Sequence, residues 1–344
     1  MTVDGPIRRE EAGICLPHEH MLIDLRGLVD RPEFQDDPDF YRPLQMNNRR
    51  LIYSDPYRIL DNALMDNLSI AADEAKLAKE SGVCTIADVT LDEIGRDPLA
   101  LRAISRASGV HIVMGCGHYI DAALPQSVRE ASEEALAEEI LHDLRTGVKG
   151  TGIRAGVIGE IGTSAEITPD EWRNVRAGGM AGAQTGAGVQ VHTALWEEHG
   201  TEVAEALIRE GVRPEKIAID HIDVALRPDY LKRLLDCGVM IEFDNFGKEF
   251  YISPREGGLL KGRFAYDLER CQTIASLVKQ GYVSQILISN DICLKNMLCA
   301  YGGNGYGHIT DHIVPMLGDA GLSKSQIEKI LKENPARFLD MEKV

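Results

Sequence analysis

The chain has 344 residues, with 37 Lys and Arg against 54 Asp and Glu, giving a formal net charge of −17. That acidity excludes broad binding to nucleic acid or anionic lipid, and the 44% hydrophobic and 26% charged residues describe a folded globular protein, not a disordered one. No stretch approaches the ~18 apolar residues of a membrane span. Met1-Thr2-Val3-Asp4 shows neither a basic nor an apolar leader pattern. The seven cysteines form no Cys-x-x-Cys pair and no disulfide framework, so a reducing, cytoplasmic location is expected.

In chain order, short apolar runs alternate with longer segments of helical periodicity. The runs are residues 14–16 leading to His18, then 84–89, 111–115, 156–161, 189–192, 217–220, 239–243 and 285–288. Between and after them, residues 57–80, 98–108, 126–146, 168–186, 200–210, 228–237, 263–280 and 309–320 read as helices. Thr168-Pro169-Asp170-Glu171 opens one of these with a cap and a proline, and Gly211, Gly238 and Gly281 close others. Eight strand–helix units imply a parallel sheet closed into a (β/α)8 TIM barrel, with residues 1–344 as a single domain. A doubly wound sheet would place a glycine-rich turn after the first strand, where Pro17-His18-Glu19-His20 stands instead. Residues 24–56 form a long first loop, of the kind that shapes a pocket.

Barrel chemistry sits at the C-terminal strand ends. There the sequence places His18 and His20 (first strand), Glu160 (fourth), His192 (fifth), His221 (sixth) and Asp291 (eighth). Any one of these is commonly a satisfied buried imidazole or a helix cap; all six at one end of a barrel are a metal-ligand set. Imidazole with carboxylate suits Zn, Mn, Co, Fe or Ni, and a shared carboxylate can bridge two ions. Asp220 and Asp223 flank His221 and are candidates to orient an imidazole.

Gly13-Ile14-Cys15-Leu16-Pro17-His18-Glu19-His20, Gly159-Glu160-Ile161-Gly162, His192, His221 and Ser289-Asn290-Asp291 resemble the phosphotriesterase-like branch of the amidohydrolase superfamily. The resemblance continues through Phe243-Asp244-Asn245-Phe246-Gly247-Lys248-Glu249 and Tyr301-Gly302-Gly303-Asn304-Gly305-Tyr306-Gly307-His308 to Glu333-Asn334-Pro335-Ala336-Arg337-Phe338-Leu339, and points to the phosphotriesterase-related and lactonase subgroup. It implies a binuclear centre of two divalent ions, with zinc the expected metal. His18, His20 and Asp291 would hold the more buried ion, His192 and His221 the more exposed one. Glu160 would be the bridging carboxylate, where many relatives carry a carboxylated lysine. It also implies Tyr119 as an aromatic near the metals, and a homodimer.

Two ions sharing a water lower its pKa from 15.7 towards ~7, so a metal-bridging hydroxide is the expected nucleophile and Asp291 the group that takes its proton. Lys248 and Lys295 follow strands seven and eight, where barrels bind anionic groups, and are candidate substrate contacts. The expected reaction is hydrolysis of a small carboxylic ester, above all a lactone, with phosphotriester cleavage as a side activity. The alternatives are an amidase acting on an N-acyl compound and a non-catalytic metal-binding barrel.

Overall fold

The computed structural model describes residues 1–53, 55–252 and 262–341. All eight expected strands are present: β1 (Ile14–Glu19), β2 (Val83–Asp88), β3 (His111–Cys116), β4 (Val157–Gly162), β5 (Val189–His192), β6 (Ile217–Ile219), β7 (Met240–Phe243) and β8 (Ile286–Ile288). They lie in chain order in one sheet, each pair parallel.

Period-two alternation sorts the strand residues onto two faces. Cys15, Ala87, Val113, Val157, Ala218, Met240 and Leu287 fill the barrel, closed below by Phe338 and Leu339. Their neighbours, among them Ile158, Ile219, Ile241 and Ile288, pack outward in the larger shell under the helices. Polar inner positions pair across the barrel: Gln190 on β5 donates from Nε2 to Glu242 Oε2 on β7 at 2.8 Å, both fully buried.

Among the described residues no regular ladder joins β1 to β8. Side chains close that seam. The Ser289 hydroxyl lies 2.7 Å from the His18 carbonyl oxygen and 2.8 Å from Glu19 Oε1. Glu19 also accepts from Asn290 N and Nδ2, at 2.8 Å each, and from Ile292 N at 2.9 Å. Burial pushes the Glu19 carboxyl up to about 7, against the pull of these donors.

The helices follow the expected rhythm, with boundaries set by caps. The segment expected as a helix over 57–80 becomes helical at Leu68, where the Asn67 side chain accepts from Ser69 N and Ile70 N; residues before it form short 3₁₀ turns. The segment expected over 126–146 splits into Gln126–Glu130 and Glu133–Arg145, the second capped by Ser132. Pro169–Thr185 carries the Thr168/Glu171 capping box. The 24–56 loop, apart from Ser54, which lies outside the described residues, winds through successive 3₁₀ turns. No described helix is long and apolar enough to cross a membrane.

Candidate metal centre

The strands that carry the first ligand candidates lose their register where those residues stand: β1 between Leu16 and Glu19, β4 between Ile158 and Ile161. Such irregularities re-aim side chains at strand ends. Gly159 makes the second one possible, at φ +132° with Gln190 O only 2.4 Å from where a Cβ would sit. His221 and Asp291 have φ of +60° and +47°, a conformation that costs a non-glycine residue free energy and is held by its surroundings. Asp244 Oδ2 accepts from the His221 N–H at 2.9 Å, and Asp291 N donates to His18 O at 3.3 Å.

These devices bring His18, His20, Glu160, His192, His221 and Asp291 together. Glu160 lies at the middle, within 3.5 Å of His18 Nε2, 3.3 Å of His20 Nε2, 3.1 Å of His192 Nδ1 and 3.6 Å of His221 Nε2. Asp291 Oδ1 is 3.1 Å from His20 Nε2 and 3.7 Å from His18 Nε2. Donors sharing one tetrahedral ion at ~2.1 Å stand roughly 3.4 Å apart, the spacing seen here. His18 Nε2 is buried with no hydrogen-bond partner among the described residues, as a nitrogen reserved for an ion would be. The triads His18–His20–Asp291 and His18–Glu160–His221 each converge closely enough to hold an ion. Glu160 bridges between imidazoles in the manner a binuclear centre requires.

Burial pushes His18 down to about 3, the neutral state in which an imidazole is a ligand. Burial also opposes charge on His20, but Asp291 and Glu160 outweigh it and raise that ring to about 10. Burial acts against the Glu160 and Asp291 anions; the surrounding imidazoles, and Lys248 beside Asp291, hold both well below the usual carboxylate range.

Behind the cluster, Asp244 Oδ1 takes the His221 Nδ1 contact at 3.0 Å and accepts from Asn245 Nδ2 at 2.6 Å. Asn245 also donates to Asp223 Oδ1 at 2.7 Å, and Asp223 receives buried Arg270 Nε at 2.8 Å. Asp223 thus touches no imidazole and reaches His221 only through Asn245 and Asp244. Asp220 does meet an imidazole, that of His18: its Oδ2 is 3.3 Å from His18 Nδ1, because β6 alternation turns Asp220 inward above Ala218. Asp244, quoted in the sequence only as part of a motif, is the direct partner of His221. The one signal for it was its place, two residues past inward-facing Glu242 on β7.

His20, Glu160, His192, His221 and Asp291 line a cavity of about 90 Å³ with Lys248, Tyr57, Tyr119, Phe250 and Phe264, and His18 lies behind it. Lys248 is buried against Asp291 Oδ2. The Tyr119 hydroxyl is 3.3 Å from His192 Nδ1. Lys295 is the exception among the expected contacts: it does not line this cavity and ends on Asp61 Oδ1 at 2.6 Å, the carboxylate whose Oδ2 accepts from Leu44 N in the first loop at 2.8 Å.

Fold and site define a metal-dependent hydrolase on a (β/α)8 barrel. The chain belongs to the phosphotriesterase family, whose model matches residues 1–339. Among its relatives is N-acetyltaurine hydrolase from Tetraodon nigroviridis, 33% identical over 98% of this chain and 97% of that protein. Among solved structures, a resiniferatoxin-binding protein from Rhodobacter sphaeroides superposes with a TM-score of 0.93 at 33% identity, covering 99% of this chain and 94% of the other. A phosphotriesterase-like lactonase from Deinococcus radiodurans, a mutant form, gives 0.77 at 28% identity, with 99% of each chain covered.

Proposed function

We propose that the protein is an amidase that hydrolyses a small N-acyl compound. His18, His20 and Asp291 would hold one divalent ion and His192 and His221 the other, with the Glu160 carboxylate in reach of both sets of imidazoles. Such a pair of ions supplies an acidified water and polarises the acyl oxygen. The chain's own residues supply the rest. Asp291, kept ionised by Lys248, accepts a proton at Oδ1 and returns it to the departing nitrogen. Amide cleavage needs that return more than ester cleavage does, because an amine leaves badly without a proton. Tyr57, Tyr119, Phe250 and Phe264 wall the cavity against bulk water, which strengthens charge interactions inside.

The observation that carries the amide reading over the lactone expectation is the full-length similarity to N-acetyltaurine hydrolases, at 30–33% identity across fish, amphibian, mammalian and slime-mould proteins. The lactonases are similar in structure at lower identity. Metal-loaded protein is to be assayed against N-acetyl amino acids and N-acetyltaurine, a lactone panel and a phosphotriester. The expected order of kcat/KM is N-acyl compound first. A lactone turned over more efficiently than every N-acyl compound would return the function to ester hydrolysis.

A further inference from the structure

A second chamber of about 170 Å³ adjoins the metal-centre cavity and shares Tyr57, Tyr119 and His192 with it. Its lining is mainly apolar, including Leu28, Val29 and Ile120, but it also contains Arg31 and Asp30. The Arg31 side chain is 5% exposed. Its Nε donates to Asp55 Oδ2 at 2.8 Å, its Nη1 to the Asp30 carbonyl at 2.8 Å, and its guanidinium stands 5.5 Å from the centre of the Tyr57 ring. A guanidinium has five N–H donors in a planar fork. No described residue takes Nη2. The hydroxyl of Thr163, in the same chamber, is engaged by His192 O, and that of Ser164 by Glu171. Lys248 and Lys295 each end on a carboxylate, Asp291 and Asp61.

A planar cation, rigidly held, with an open donor edge in an apolar chamber is suited to a carboxylate or sulfonate. We propose that Arg31 binds the anionic end of an N-acyl amino acid or N-acyl aminosulfonate whose amide lies at the metal centre, the short chain between them passing Tyr57 and Tyr119. This rests on the amidase reading and adds the substrate class to it. Arg31 thereby takes the anion-anchoring role that the sequence suggested for Lys248 and Lys295.

The test uses full-length, metal-loaded Arg31→Met and Arg31→Lys, with N-acetyl-β-alanine and N-acetyltaurine as anionic substrates and N-ethylacetamide as the neutral one. In Arg31→Met, KM for the anionic substrates should rise about 10- to 100-fold, the range of a charge-assisted hydrogen bond, with kcat little changed. Turnover of the neutral amide should stay within about twofold. Whichever anionic substrate loses more identifies carboxylate or sulfonate as the preferred group, and Arg31→Lys should fall between. Asp55→Asn, which keeps the cap on Tyr57 N but removes the competing charge, should lower KM for the anions. Equal losses on charged and neutral amides, or no loss on either, would overturn the proposal. Calorimetric binding of N-acetyl-β-alanine separates the two readings. If wild type opens only lactones, the amidase reading fails, yet binding abolished by Arg31→Met would still uphold the subsite; binding equal in wild type and variant would remove it.

Discussion

Asp244→Asn isolates the support of a single ligand candidate. Asp244 is fully buried, its Oδ1 paired with His221 Nδ1 at 3.0 Å and its Oδ2 with the His221 N–H at 2.9 Å. Asparagine has one acceptor oxygen. Turned towards the ring, it points an amide at the His221 N–H; turned the other way, it points the amide at the ring. The first orientation breaks one buried hydrogen bond and the second two, since Oδ1 also accepts from Asn245 Nδ2, at about 1–3 kcal/mol each, around a residue already held in the left-handed region. Removing the carboxylate behind a ligating imidazole lowers metal affinity about 10- to 100-fold, or roughly 1.4–2.7 kcal/mol. Loaded wild type and variant are dialysed against graded chelator, and metal per chain is measured by emission spectroscopy. The variant should release one ion at a 10- to 100-fold higher free-metal concentration than wild type, while the ion on the His20–Asp291 side leaves where it did before. If both ions leave at wild-type concentrations, Asp244 does not support His221 and the assignment of that ring is wrong.

Three further outcomes are expected. Gly159→Ala brings a Cβ to 2.4 Å from Gln190 O at a φ of +132°, so the variant should lose more than about 4 kcal/mol in denaturant unfolding or fail to accumulate in folded form; near-wild-type unfolding would mean the strand relaxes there freely. Burial disfavours the charged His118 ring, but Glu139 and Glu93 overcome this and raise it to about 9. A raised folded pKa stabilises below the unfolded value near 6.5, and that stability is lost as pH climbs through about 9. With Glu139 half-exposed, the effect should be about 2 kcal/mol, so His118→Gln should unfold more easily than wild type at pH 6 and equally at pH 10; parallel curves at both pH values would refute it. Lys295→Met should lower thermal stability by freeing the loop at Asp61 yet leave KM unchanged, whereas a raised KM with unchanged Tm would return Lys295 to the substrate.

The strand rhythm was legible because a barrel strand is buried on both faces and therefore reads as an unbroken apolar run. The ligand candidates were legible because they follow those runs directly. What sequence order concealed was adjacency between strands. Asp220 and Asp223 flank His221 in the chain, but alternation and the turn after β6 send them to His18 and Asn245, while Asp244 arrives from the neighbouring strand. Arg31 carried no periodic signal, since loop residues are placed by packing and not by pattern. The break at Ala131–Ser132 was hidden because the residues on either side of it are themselves good helix formers, and a single capping serine decides the boundary.

The seam between β1 and β8 has a consequence for assembly. The residues it joins are 270 positions apart in sequence for the Glu19–Ser289 contact and 273 for Glu19–Ile292. That makes it among the most non-local closures a chain of this length can have, and non-local contacts form late. His18 and His20 stand on one side of the seam and Asp291 on the other. A nascent chain therefore carries His18 and His20 for most of its synthesis before Asp291 exists. Closing the barrel and bringing Asp291 to His18 and His20 are one event; an ion held by these three, as proposed, would therefore act on barrel closure as well as on catalysis.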